Sequence, residues 1–265
     1  MITLSSFDLA IAASLVLLLA LVSWRSGAGL ERRLLWSALR TTLQLLLIGW
    51  ILKLLFAQTD PLWIALMATI MLLFAGREVM SRQQRSFGGF WGYGMGVVAM
   101  FVSSFSIALI ALQVIIQPEP WYLPQYAIPL LGMLLGNTMN GISLGLDRLT
   151  SSAWEQRHSI EAQLMLGFTA SETVAPLRRN AIRVGMIPMI NAMAAAGVVS
   201  LPGMMTGQIL AGTPPMEAVK YQLLMMFLIT VGTGFGTLVA ISAGTSRLFD
   251  ERERLRLDRL KIRAQ

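Results

Sequence analysis

Seven apolar runs separated by polar segments leave this chain few options other than a helical membrane fold. They cover about residues 7–24, 34–56, 62–76, 90–116, 124–146, 184–201 and 221–241. Inside a bilayer each backbone amide must be satisfied within its own helix or in a closed barrel, and runs of this length suit helices. Hydrophobic residues make up 55% of the chain and charged ones 13%, where soluble domains carry about 25% charge. The expectation is an all-α polytopic membrane protein, a single transmembrane domain over residues 1–265. The third run is the shortest. Residues 62–75 rise only about 21 Å as a helix, so this run either extends into Gly76–Glu78 or is buried among its neighbours.

Basic residues set the orientation. Of the 21 lysines and arginines, all but Lys53 and Lys220 fall on one side when the N-terminus is placed outside. Such a bias puts the C-terminus in the cytosol, with seven transmembrane helices between. Trp24, Trp36, Trp50, Trp63, Trp91 and Trp121 sit at run ends, as interfacial belts require. No basic residue precedes the first run, which argues for a retained anchor rather than a cleaved leader. The net charge of +7 does not imply nucleic acid, because the arginines lie between and after membrane spans. The absence of cysteine excludes disulfides and thiolate metal sites.

The longest polar interruption, Ser151 to Pro188, lies within and beside a cytosolic segment spanning 147–183. Ser152 with Glu155, and Thr169 with Glu172, have the spacing of capping boxes, each pair satisfying two orphan amides at a helix start. Gly167 stands between them, where a helix can end on a left-handed residue. The predicted shape is a helix, a turn at Gly167-Phe168 and a second helix, held between spans five and six as a docking element. The tail after residue 244 places Leu248, Leu255 and Ile262 seven apart, which predicts a cytosolic helix with a narrow apolar stripe, drawn to anionic lipid or to a partner.

Within the spans, Asn137, Asn140 and Ser143 share one face of span five, with Asp147 roughly along it. They either line a pathway or hydrogen-bond between helices, the latter modest at about 0.6 kcal/mol each. Arg40 and Gln44, one turn apart on span two, are a second pathway candidate, although Arg40 can also snorkel to the surface. Glycines four apart, at Gly141/Gly145 and Gly232/Gly236 among others, allow close helix approach. Met186, Met189 and Met193 stack at helical spacing and read as flexible apolar filler. The glycine-broken outer loop 202–215, with Pro202, Gly203, Thr206, Gly207 and Gln208, is expected to re-enter the membrane as an outer gate.

Catalytic signatures are missing. The sequence has no P-loop, no H-E-x-x-H and no pair of midspan carboxylates. An enzyme is therefore not expected, and a transporter of this kind must take its energy from another subunit. A carrier of a polar solute driven by an ion gradient is the alternative, opposed by the missing coupling carboxylates.

Glu161, Ala162 and Gly167 reproduce the E-A-A-x-x-x-G spacing found in the cytosolic loop of bacterial ABC permeases. Gln163 replaces the second alanine, and Pro188 falls later than that motif expects. The chain also resembles the FetB family of these permeases. The likeness runs through GMLLGNTMNGISLGLDRL (132–149), EAQLMLG (161–167), LPGMMTGQILAG (201–212) and PPMEAVKYQLLMMF (214–227). The resemblance implies a multi-pass permease of the bacterial inner membrane, paired with a FetA-like ATP-binding subunit as two copies of each. It implies iron export and resistance to oxidative stress, with no cofactor in this chain and ATP used by the partner. Similar plant permeases are associated with aluminium tolerance, which keeps a nucleotide sugar such as UDP-glucose as an alternative cargo. In that setting Glu161, Ala162, Gly167, Thr169 and Glu172 are the expected ATPase-coupling residues.

Overall fold

The computed structural model describes residues 5–56 and 60–262, and the chain divides into two compact units, residues 1–59 and 60–265. The N-terminal unit is a pair of apolar helices, α1 (Ser6–Arg25) and α2 (Glu31–Phe56). Ser5 and Asp8 start α1 with a reciprocal cap, and the Ser23 hydroxyl accepts from Leu30 N–H at 3.2 Å to close the turn between the helices. Both are long and apolar enough to cross a membrane.

In the second unit, α3 (Pro61–Ser81) begins on the Asp60 carboxylate, which accepts from Leu62 N–H at 2.9 Å. The short third run thus extends through Gly76–Glu78 and one turn beyond. A strand, β1 (Arg85–Phe87), leads into α4 (Gly89–Ile116), which contains two π-helical segments, Phe101–Phe105 and Ala111–Ile116. Then follow α5 (Pro124–Glu155), α6 (Arg157–Met165), α7 (Ala170–Ala195), α8 (Gly203–Leu210) and α9 (Pro215–Arg247). Helix α5 is the centre of this unit. Leu134, Ile142, Leu146 and Leu149 on α5 are fully buried, as are Met100, Ile241 and Leu248.

Six described helices are long and apolar enough to span a membrane: α1, α2, α3, α4, α5 and α9. The run expected over 184–201 belongs to α7, which starts at Ala170, carries Arg178, Arg179 and Arg183, and ends at Ala195. After Arg183 its apolar part rises only about 18 Å, and α7 is not among the six.

Two local expectations are corrected. No helix starts at Ser152, because α5 continues to Glu155, and Ser152 and Ala153 are 2% and 0% exposed. Packing against the core overrides a capping signal that is only local. The described part of the tail is not the expected continuous helix either, its one helical piece being the 3-10 turn Leu257–Arg259. The Asp250 carboxylate accepts from Arg252 N–H at 3.0 Å and Arg254 N–H at 2.9 Å, bending the chain, and Arg256 N–H returns to the Leu248 carbonyl at 2.8 Å. The turn sets Leu255, Leu257 and Leu260 against the core. It also lets β2 (Leu260–Ile262) pair antiparallel with β1, Phe87 opposite Leu260.

Hydrogen bonds from the Arg254 backbone and guanidinium lower the Asp250 carboxyl to about 2. An unfolded aspartate titrates near 3.9. A depressed acid contributes its stability fully above that value and loses it as pH falls toward 2. Asp250→Asn, which keeps the shape without the charge, is therefore expected to loosen the tail at every pH above about 4. Faster trypsin cleavage after Arg252 and Arg254 would report it.

Candidate functional site

The turn between α6 and α7 is built from local signals. Phe168 N–H donates to the Gln163 carbonyl and Gly167 N–H to that of Leu164, both at 3.1 Å, closing α6 with the paired bonds of a Schellman motif. That motif needs a left-handed residue, and Gly167 supplies it at φ +92°. The next helix starts with the expected capping box. The Thr169 hydroxyl accepts from Glu172 N–H at 3.3 Å, and the Glu172 carboxylate accepts from Thr169 N–H at 2.9 Å. Those bonds from the Thr169 backbone and hydroxyl hold the Glu172 carboxyl below its ordinary range.

Glu161, Ala162, Gly167, Thr169 and Glu172 therefore meet on one exposed helix–turn–helix. Ile160 and Val174, 2% and 1% exposed, root its two arms in the core. Its tip is apolar and open: Met165, Leu166 and Phe168 are 83%, 78% and 51% exposed. The tail reaches this turn. Glu253 places a carboxylate oxygen 3.2 Å from Ala170 N–H at the first turn of α7. A groove of about 650 Å³ runs between Leu164, Met165 and Phe168 on one side and Arg252, Arg254 and Leu255 on the other. The contribution of the tail has no signature in the sequence, since the tail reads there as an independent helix.

The polar face of α5 brackets the link between α3 and α4. The Arg82 guanidinium donates to the Asn140 side-chain oxygen, and Gln84 N–H donates to Asp147 at 2.7 Å. Thr150 donates to the Arg85 carbonyl at 2.8 Å. Asn137 turns back to the Met133 carbonyl of its own helix at 2.8 Å, whereas the Ser143 hydroxyl is buried without a partner. Arg40 and Gln44 lie one turn apart on exposed positions of α2, in the N-terminal unit.

The stretch expected as an outer gate contains the two-turn helix α8. Pro202 precedes it and accepts from the Thr206 hydroxyl at 3.2 Å; Gly203 and Gly207 are exposed, and the Gln208 side-chain oxygen is buried without a partner. Of the stacked methionines, Met193 places its sulfur 3.1 Å from the Thr230 hydroxyl, and Met189 is buried.

No solved structure matches the chain. Among curated proteins it is 40% identical to the UPF0014 membrane protein slr1647 of Synechocystis over 89% of this chain and 90% of that protein. It is 30% identical to the probable iron export permease protein FetB of Escherichia coli over 96% of both chains. It is 31% identical to Protein ALUMINUM SENSITIVE 3 of Arabidopsis thaliana over 82% of this chain and 77% of that one. The profile of the uncharacterised protein family UPF0014 matches residues 6–249. The chain, a multi-helix membrane protein matched over nearly its whole length, belongs to the UPF0014 family.

Proposed function

We propose that the chain is the membrane-spanning permease of an ABC transporter and that a separate ATP-binding subunit docks on the turn at Gly167. The observation that carries this reading is the combination of a rigid, core-rooted turn with an uncovered apolar tip at Met165, Leu166 and Phe168. A lever that transmits nucleotide-driven closure must be stiff along its length and sticky at its end. Glu161, Ala162, Gly167, Thr169 and Glu172 are its working parts, and two permeases with two ATP-binding subunits form the complex. The name of the Escherichia coli relative supports iron, or an iron chelate, as the exported cargo, with resistance to oxidative stress as the outcome. ATP is used by the partner, and this chain is not itself an enzyme. In this reading α7 completes seven crossings of a bacterial inner membrane, with the N-terminus outside and the turn and tail in the cytosol. Asn137 and Ser143 keep a place beside the path, and Pro202–Gln208 gate its outer end.

Two substitutions test the lever. Gly167→Pro removes the 167 N–H bond and cannot adopt positive φ. Glu161→Lys reverses a charge on the exposed face. Both variants are expected to insert normally, yet to lose co-purification with the ATP-binding subunit and to cut transport by roughly ten-fold or more, a barrier change of at least about 1.4 kcal/mol. Unchanged assembly and transport in both would sink the assignment. Transport into reconstituted vesicles, comparing iron, iron chelates and nucleotide sugars, identifies the cargo.

A further inference from the structure

Near the middle of α9, Thr233 and Thr237 stand one turn apart and are 2% and 0% exposed, yet neither hydroxyl has a hydrogen-bond partner. A buried threonine in a helix ordinarily donates to the carbonyl one turn back. Two other threonines of α9 do so: Thr230 donates to Met226 and Thr245 to Ile241, each at 2.7 Å. Toward the neighbouring helices Thr233 turns its methyl, and Thr237 both its methyl and its hydroxyl. A side chain at Gly141 of α5 would meet the Thr233 methyl at 2.7 Å and the Thr237 hydroxyl at 2.8 Å. One at Gly185 of α7 would meet the Thr237 methyl at 2.8 Å. A partnerless buried hydroxyl destabilises the fold that holds it, so these two call for a use outside the resting structure.

Helix α4 adds to the same level. Ser103 and Ser104 lie in its π-helical segment, a distortion that concentrates at functional sites. The Ser104 hydroxyl is 3.4 Å from that of Thr138 on α5, and Ser103 and Thr138 converge on Gly236, one residue before Thr237. All three are buried. At Gly141 and Gly185 the close neighbours are backbone carbonyls and the two threonines. The Gly185 carbonyl lies 3.2 Å from where a Gly141 side chain would begin, and the Gly141 carbonyl 2.7 Å from the equivalent point at Gly185. Smooth surfaces of this kind can part without unlocking large side chains.

We propose that the Gly141–Gly185 contact is the closed constriction of the path through the membrane, and that Thr233 and Thr237 are the groups it presents to a solute when the helices part. The proposal rests on the permease reading and deepens it. The lining is the Thr237 hydroxyl, the two threonine methyls and the Gly141 and Gly185 carbonyls, able to donate and accept but carrying no charge. It suits a solute recognised by hydrogen bonds, such as a metal already wrapped in oxygen-bearing ligands. A bare multivalent cation would have to shed water without gaining a counter-charge.

The chain has no cysteine, so single cysteines report without background. In membranes holding the complete transporter, Thr233→Cys and Thr237→Cys are expected to react with a small charged methanethiosulfonate roughly ten-fold or more faster than Leu134→Cys and Ile142→Cys, since thiols packed in a core are inert. Both control positions are 0% exposed. Rates equal to the controls would overturn the proposal. Thr237→Val, which keeps the shape and removes the orphan hydroxyl, is expected to raise the melting temperature of the purified protein. A lower melting temperature marks a structural hydroxyl and counts against the proposal. Fast labelling that ignores ATP would leave the constriction standing while removing the ATP-powered reading.

Discussion

Gly185→Leu is expected to leave no folded protein to purify, and Gly185→Ala to melt about 6–12 °C lower. A Cβ at this position would lie 2.7 Å from the Gly141 carbonyl oxygen and 2.8 Å from the Thr237 methyl. The first of these neighbours is backbone and cannot rotate away, so α5 and α7 must separate along their shared length. That separation also disturbs Gly145, where the Ala181 carbonyl and Ile241 occupy the equivalent space at 3.2 and 2.7 Å. Overpacking costs about 1–3 kcal/mol when side chains can yield. Here they cannot, so about 3 kcal/mol is the expectation for alanine and more for leucine, against a total stability of about 5–15 kcal/mol. Gly136→Ala, also on α5, is the control. Nothing lies within 4 Å of a Cβ there, and alanine favours helix by roughly 0.5–1 kcal/mol. The two alanine variants should therefore shift melting in opposite directions. A Gly185→Ala protein that melts with the parent would show that the α5–α7 contact gives way easily.

Features written in adjacent residues were legible in the sequence. Apolar runs mark most of the helices because span length is a local property. The turn at Gly167 was legible to the residue, since a left-handed glycine and a reciprocal cap lie within six positions of each other. The same code misled at Ser152, where a valid local signal lost to burial of Ala153. Pairing across distance was not legible. Nothing near Arg85–Phe87 announces a strand partner at Leu260–Ile262, and an apolar residue at every seventh position, Leu248, Leu255 and Ile262, suits a helix equally well. For Asn140 and Asp147 the shared face was readable from spacing, but their partners Arg82 and Gln84 come from another helix end. Thr233 and Thr237 are plain in the sequence, yet threonines in apolar helices usually bond to their own backbone. In the folded chain these two do not.

Deleting the tail from Asp250 onward is the second large effect, and it is expected to free the turn at Gly167 as well as destabilise the fold. The deletion removes Leu255, Leu257 and Leu260 from the core surface. It leaves β1 unpaired and strips the Arg247 and Phe249 carbonyls of the Arg259 guanidinium, which donates to them at 2.9 and 3.2 Å. Full burial of a leucine is worth about 1.5–3 kcal/mol, and these three are half-buried, so the apolar loss alone is about 3 kcal/mol. Phe87, 2% exposed and opposite Leu260 in the strand pair, would gain access to water. The turn loses its brace because Glu253 no longer meets Ala170 N–H. Cleavage by chymotrypsin at Phe168 should then rise roughly ten-fold or more, as a local opening about 1.4 kcal/mol easier requires. Glu253→Gln separates the two effects: it keeps the strand pair and the leucines while weakening a charge-assisted bond. Faster cleavage in that variant at an unchanged melting temperature would assign the brace to the carboxylate. Cleavage that rises only with the full deletion would assign it to Leu255, which packs on the same core as the turn. If neither change speeds cleavage at Phe168, the Schellman bonds and the capping box hold the turn unaided, and the tail serves the strand pair alone.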